Sequence, residues 1–376
     1  MPFRVERAGS RESVDRSWLV IDSESLRPHS AALQFVLFLR GRSRSPNTVR
    51  AYCRAVAAYL NWCERTGHDW ASTSLPDLAR FKTFLESLPT PSGGPRSGRT
   101  VDLTLTGLCE FLRFAAASGM ASPSVAATLS ERRFLRYVPT AFNVGERGQF
   151  RTVRGRILKS RSAKLPPATL TGEQQEHLLR GCASARDRFA VQLMRHTGLR
   201  IGELLGMRSE HLHFLPDSMS LGCRVPGAHV HVPSSSSSTA SLNEARSKTG
   251  SRVVPVTSVV TEAFRDYRAE RFEVLGERDA SDAVMVNLFG PHTGAPMGYS
   301  NLRQILRRRG DAAGFRATAH MFRHTVATDW LEAGVPPDVV QHLLGHASAS
   351  SLAVYSHPSQ AAMRRAVDQA HPVVDR

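Results

Sequence analysis

The chain has 376 residues, enough for two domains with cores of their own. Its 49 Lys and Arg against 33 Asp and Glu leave a formal charge of +16, which predicts a polyanionic partner and by itself leaves DNA, RNA and an anionic membrane open. A membrane is set aside because no apolar stretch is long enough to span one and no signal-peptide pattern opens the chain, so a cytoplasmic protein is expected.

Five cysteines, Cys53, Cys63, Cys109, Cys182 and Cys223, are odd in number and scattered without a CxxC pair. That argues against both a disulfide framework and a zinc site, and reads most simply as small core residues. No GxxxxGK[ST] string occurs, nor a GxGxxG after a strand, so the sequence calls for no cofactor and no metal.

Residues 1–28 carry mixed charge with little periodicity and read as a poorly ordered lead. Helical patterning begins at AALQFVLFLR and resumes after Ser45-Pro46, a capping Ser before Pro at the first helical position. Val49, Tyr52, Cys53, Val56, Leu60 and Cys63 then recur at helical spacing, with Gly67 placed to stop the helix. Further amphipathic segments run from Leu75 to Leu88 and from Val101 to about Ser118. The PSGGPRSG stretch between them, Pro91 to Gly98, reads as an inter-helix loop, because Lys and Ser/Thr are not at phosphate-loop spacing. Residues 29–137 are therefore expected to form a small all-helical module.

From Arg147 to Lys164 the chain has seven Lys or Arg and no acidic residue. Composition makes residues 138–167 a basic linker, solvated by default. A second domain, 168–376, opens with Thr171-Gly172-Glu173-Gln174 at capping-box spacing. A helix over Arg188 to His196 leads through Gly198 to Arg200, and another begins near Ile201, so Arg200 stands where a guanidinium can address a phosphate beside a helix start. Glu203, one turn on, reads as the partner that orients an arginine. Strands are expected at HVHV (His229 to Val232) and SRVVPVT (Ser251 to Thr257), with Lys248 just before the second and a serine-rich insertion, Ser234 to Ser238, in the same hairpin. Tyr299 to Arg309 is an amphipathic helix whose basic face carries Arg303 and Arg307; a solvated face and a phosphate-contacting face are equally open. His320 to about Ala333 forms the next helix, with positions 320, 323 and 324 on adjacent parts of one face. The pairs His320/His324 and His342/His346 have zinc-ligand spacing, but HExxH is absent, and packed or capping histidines are the reading for His324 and His342. After Pro336 a short helix stops at Gly345, and Tyr355 follows.

An arginine, a lysine, a histidine, a second arginine and a second histidine, in this order before a tyrosine, supply what a pentavalent phosphate needs: planar forks for its oxygens, proton donors and acceptors. HTGLRIGEL, RSKTG, HMFRH, LLGH and Tyr355 together resemble the tyrosine recombinase, or phage integrase, family, over the chain from about Ser30 to His371. The resemblance implies a mainly α fold with a small β-sheet or hairpin, arranged as a two-domain, C-shaped DNA clamp. In that clamp, residues 29–137 are the core-binding (SAM-like) domain and 168–376 the mixed α/β catalytic domain. It implies a site-specific recombinase of integrase or transposase type in which Tyr355 is the nucleophile, Arg200 and Arg323 clamp the phosphate, Lys248 is the general acid, His320 handles a proton and His346 donates to the phosphate. With the linker crossing a duplex, Arg151, Arg154, Arg156 and Lys159 become phosphate contacts, joined by Arg303 and Arg307. The partners implied are double-stranded DNA bearing recombination sites, a tetramer of this chain on that DNA, and an accessory protein; the setting is the nucleoid. A type IB topoisomerase or a silent DNA-binding protein is the alternative. The separate helical module and the HTGLR and LLGH strings argue against the first, and the occupation of all six key positions argues against the second.

Overall fold

A computed structural model describes residues 1–9, 17–90, 93–134, 152–160, 167–215, 217–219, 222–233 and 251–345. The chain divides into two compact units, one built on residues up to Lys164 and the other on residues from Leu165 onward.

The first unit is a helical packing with a hairpin laid on it. Strands β1 (Phe3–Ala8) and β2 (Ser17–Asp22) pair antiparallel, with Val5 opposite Val20. Helices α1 (Ser30–Gly41), α2 (Pro46–Thr66), α3 (Leu75–Ser87), α4 (Gly98–Ala117) and α5 (Pro123–Thr128) follow. The α2 helix forms as its sequence dictates. The Ser45 side chain accepts from the Thr48 amide, Pro46 needs no donor partner, and Gly67 closes the helix in the left-handed region at φ 67°. Its buried stripe of Val49, Cys53, Val56, Leu60 and Cys63 meets Phe35, Leu105, Leu108 and Phe111 of α1 and α4 in one core.

Two expectations for this unit are corrected. The lead is not structureless: Val20 is 1% exposed within the helical core, and the Asn61 side chain on α2 accepts from the Phe3 amide at 2.9 Å and donates to the Phe3 carbonyl at 2.7 Å. Nor do all of residues 138–167 behave as a linker. Strand β4 (Thr152–Arg156) pairs antiparallel with β3 (Ser130–Phe134), and Leu158 packs on the first unit's core. The Ser160 amide donates to Asp102 at 2.9 Å and its hydroxyl to Glu86 at 2.7 Å. The basic residues stand out in the sequence, but Ile157 and Leu158 beside them carry the apolar surface that docks. Helix α4 starts earlier than Val101, because Ser97 caps it by accepting from the Thr100 amide.

The second unit comprises α6 (Gly172–Arg180), α7 (Ala185–Thr197), α8 (Ile201–Leu205), a three-stranded antiparallel sheet of β5 (Leu212–His213), β6 (His229–Val232) and β7 (Arg252–Pro255), then α9 (Ser258–Leu275), α10 (Tyr299–Ala312), α11 (Ala319–Glu332) and α12 (Pro337–Leu344). The capping box at Thr171 and Gln174 is present. Phe189, Leu193 and Met194 of α7, Val230 and Val254 of the sheet, Tyr267 of α9, Leu302 and Leu306 of α10 and Phe322 of α11 share one buried core. Both units together are mainly helical with small sheets.

Candidate active site

Helix α7 ends on Gly198, whose φ of 61° lets the chain reverse and deliver Arg200 as the cap residue of α8. One turn into α8, Glu203 is 2% exposed. Its carboxylate accepts the Arg200 amide at 2.9 Å on Oε2 and the Arg200 Nη1 at 2.9 Å on Oε1. It also takes Arg252, from the first position of β7, by a two-pronged contact: Nη2 to Oε2 at 2.8 Å and Nη1 to Oε1 at 3.2 Å. Burial alone raises the Glu203 carboxyl, but the bonds and charge of Arg252, with the amide and charge of Arg200, outweigh it and bring the group down to about 2. Glu203 is thus an anion fixed between two guanidiniums, as its expected role of orienting an arginine requires. Arg252 had only a flanking place in the sequence, beside Lys248; its partner lies 49 residues away, and no local pattern announces the pair.

The same arginine reaches a third element. Arg252 Nε donates to the Leu343 carbonyl at 2.8 Å, in the last turn of α12. Arg323, on α11 and 1% exposed, donates from Nη1 to the Gly198 carbonyl at 3.0 Å and from Nη2 to the Leu344 carbonyl at 2.6 Å. Two of the terminal carbonyls of α12, which a helix leaves without intrahelical donors, therefore receive guanidinium donors. Gly345 then turns the chain at φ 64°. A Cβ at Gly345 would stand 2.8 Å from Arg252 Nη1, and one at Gly198 would stand 2.8 Å from Leu344 Cδ2, so glycine at both places permits the close packing of α12 on this cluster.

The structure thus brings Arg200 and Arg323 into one neighbourhood, joined through Gly198, and adds Arg252 and Glu203 to them. His320 lies near the exposed start of α11, and its ring meets that of His324 edge-on with centroids 4.2 Å apart. Although i, i+3 spacing keeps His320 close to Arg323 along the helix, Arg323 is turned into the packing between α7 and α12. Burial, with the positive charge of His320 and Arg323, pushes His324 down to about 4, in keeping with a packed histidine. His342 is exposed in the last turn of α12. Lys248, His346, Tyr355 and Arg151 lie outside the described residues. Lys159, Arg303 and Arg307 are exposed, the last two one turn apart on α10, whose Leu302 and Leu306 are buried. Arg154 and Arg156 lie on β4 at the positions paired with Arg132 and Ser130. Among the described residues no helix is long and apolar enough to cross a membrane.

The fold agrees with comparison to known proteins. The model of the phage integrase family matches residues 168–362, and that of the phage integrase N-terminal SAM-like domain matches residues 33–119. Transposase A from transposon Tn554 of Staphylococcus aureus is 26% identical over 358 residues, covering 92% of each chain. Tyrosine recombinase XerD of Corynebacterium glutamicum is 24% identical over 337 residues, covering 88% of this chain and 94% of its own. Among solved structures, the Tn1549 transposon integrase in complex with transposon right end DNA superposes with a TM-score of 0.57 at 19% identity, covering 90% of this chain and 99% of that one. A lambda integrase dimer bound to a core site gives 0.56 at 18% identity, covering 87% and 76%. These two structures share the fold. Since the matched segment, residues 168–362, spans more than half of the chain and takes in Arg200, Glu203, Arg252 and Arg323, this protein belongs to the phage integrase family of tyrosine recombinases.

Proposed function

We propose that this site-specific recombinase cuts and rejoins DNA through a 3′-phosphotyrosyl link on Tyr355. The observation that carries the reading is the meeting of Arg200 and Arg252 on Glu203 beside Arg323, which holds the Gly198 and Leu344 carbonyls, just before Gly345, one residue from His346 and ten from Tyr355. Tyr355 attacks the scissile phosphorus, the bond from phosphorus to the 5′ oxygen breaks, and Lys248 gives that oxygen its proton. Arg200 and Arg323 hold the non-bridging oxygens with His346, while His320 handles the tyrosine proton. The phosphodiester energy stays in the covalent link, so the 5′ hydroxyl of a partner duplex can attack it without ATP, and strand exchange passes through a Holliday junction. Four protomers on two DNA sites, an accessory protein and a nucleoid setting complete the proposal. Arg151, Arg154, Arg156, Lys159, Arg303 and Arg307 serve as phosphate contacts away from the reacting centre.

The test is trapping on a nicked suicide duplex drawn from the DNA flanking this gene, with peptide mapping of the adduct. Wild-type protein should give a covalent complex at Tyr355; Tyr355→Phe should bind the duplex equally and give none. An adduct that persists in Tyr355→Phe, or binding lost together with cleavage, would overturn the nucleophile assignment.

A further inference from the structure

Outside the arginine cluster, four metal-ligating side chains converge on one end of the β5–β6–β7 sheet. His229 and His231 alternate along β6 and so project from the same face, and His213 on β5 is paired directly opposite His229. Cys223 comes from the connection between these strands. One ligand atom from each of His213, Cys223, His229 and His231 can be chosen so that all lie within 4.8 Å of one another. The separations are 3.1 Å between His229 Nε2 and His231 Nε2, 3.3 Å from Cys223 Sγ to His229 Nε2, and 3.4 Å from Cys223 Sγ to His231 Nε2. A tetrahedral zinc with Zn–N of about 2.0–2.1 Å and Zn–S of about 2.3 Å sets its ligand atoms roughly 3.3–3.6 Å apart, close to these values.

The surroundings have the form that a metal site requires. His229 is 1% exposed, and its Nδ1 lies 2.7 Å from the Gly227 carbonyl. That contact takes the Nδ1 proton and leaves the Nε2 lone pair directed at the cluster, the outer-shell arrangement that orients a ligating imidazole. The His213 and His229 rings stack with centroids 4.9 Å apart, and the buried Nδ1 of His213 has no hydrogen-bond partner among the described residues. Hydrogen bonding within the cluster alone leaves that nitrogen unsatisfied, at a cost of about 1–3 kcal/mol for a buried polar atom.

We propose that His213, Cys223, His229 and His231 bind one zinc ion that staples β5, the Cys223 connection and β6 together. Binding deprotonates the Cys223 thiol and releases that proton to solvent. With four protein ligands the ion has no open position, so it is structural and takes no part in the strand-transfer chemistry. Its effect on the site is indirect: β6 is the strand from which the chain runs on to Lys248 and then returns as β7 with Arg252. The sequence hid the cluster because its spacing, H-x9-C-x5-H-x-H, matches no familiar ligand string.

The test uses full-length protein and the metals alone. Protein purified without chelator and dialysed should retain about one zinc per chain by elemental analysis, and zinc added back after chelation should raise the thermal midpoint by on the order of 10 °C. Cobalt in place of zinc should give tetrahedral visible bands and a thiolate-to-cobalt charge-transfer band, and Cys223→Ala should lose the latter. Because the cobalt spectrum of the wild-type chain decides the matter without any variant, misfolding of Cys223→Ala leaves the test intact. Zinc content below about one tenth per chain with an unmoved midpoint, or cobalt bound without the thiolate band, would overturn the site.

Discussion

Glu203 and Arg252 meet side by side with both carboxylate oxygens engaged, at 2.8 and 3.2 Å, and with side chains 0% and 2% exposed. A pair so buried cannot be dissolved by halves: removing one charge leaves the other without compensation in a poor solvent for it.

Glu203→Gln should therefore cost about 3–5 kcal/mol of stability in the second unit, by the usual penalty for stranding a buried charge. It should also release Arg200, with at least a tenfold loss of cleavage. The folded carboxyl sits at about 2 against an ordinary 4.5, so the wild-type advantage is fully present above pH 4.5 and fades as pH falls toward 2. Urea unfolding of both proteins between pH 6 and 2.5 measures it; curves that stay a constant distance apart would remove Glu203 from this role.

His324 is linked to pH with the same sign, in a higher window. Its ordinary 6.5 falls to about 4 in the fold, so the unfolded chain binds the extra proton first and stability is lost as pH drops from 6.5 toward 4. In an NMR titration the His324 ring should remain neutral until near pH 4. A midpoint close to 6.5 would mean that the ring is not packed as described.

Gly345→Ala places a methyl carbon 2.8 Å from Arg252 Nη1 at a backbone φ of +64°. Strain at that φ alone costs about 1–3 kcal/mol, and the displaced arginine adds to it. We expect a lowered thermal midpoint and much weaker adduct formation, while binding to DNA through the first unit persists. Unchanged cleavage in this variant would show that α12 does not need its tight seat.

Deleting residues 1–22 exposes the core that Val20 covers and removes both bonds to Asn61. Limited proteolysis of the first unit should quicken markedly, and Asn61→Ala should reproduce part of the effect, about 1–2 kcal/mol. If the truncated chain resists protease as well as the full one, the hairpin contributes nothing to the fold.

What could be read beforehand follows the range of the interactions concerned. α2 was legible because Ser45, Pro46 and Gly67 mark its ends and its apolar stripe repeats locally. Arg200 and Arg323 stood out because their neighbours spell a known pattern. The β1–β2 hairpin was not legible: FRVERA alternates only weakly, and what orders it is the Asn61 side chain 58 residues away. The strand at Thr152–Arg156 was masked by its charges, since the apolar residues that dock are the two just after it. Arg252 and the Cys223 cluster became visible only when strands set non-adjacent residues side by side.

The arginines that receive the end of α12 also fix the point from which the chain runs on to Tyr355. From Gly345 to Tyr355 are ten residues, and ten residues extend at most about 33–36 Å. The proposed nucleophile is therefore bound to act within about that reach of a point that Arg252 and Arg323 hold. Residues inserted between Gly345 and Tyr355 would lengthen that reach and leave Arg252 and Arg323 where they are.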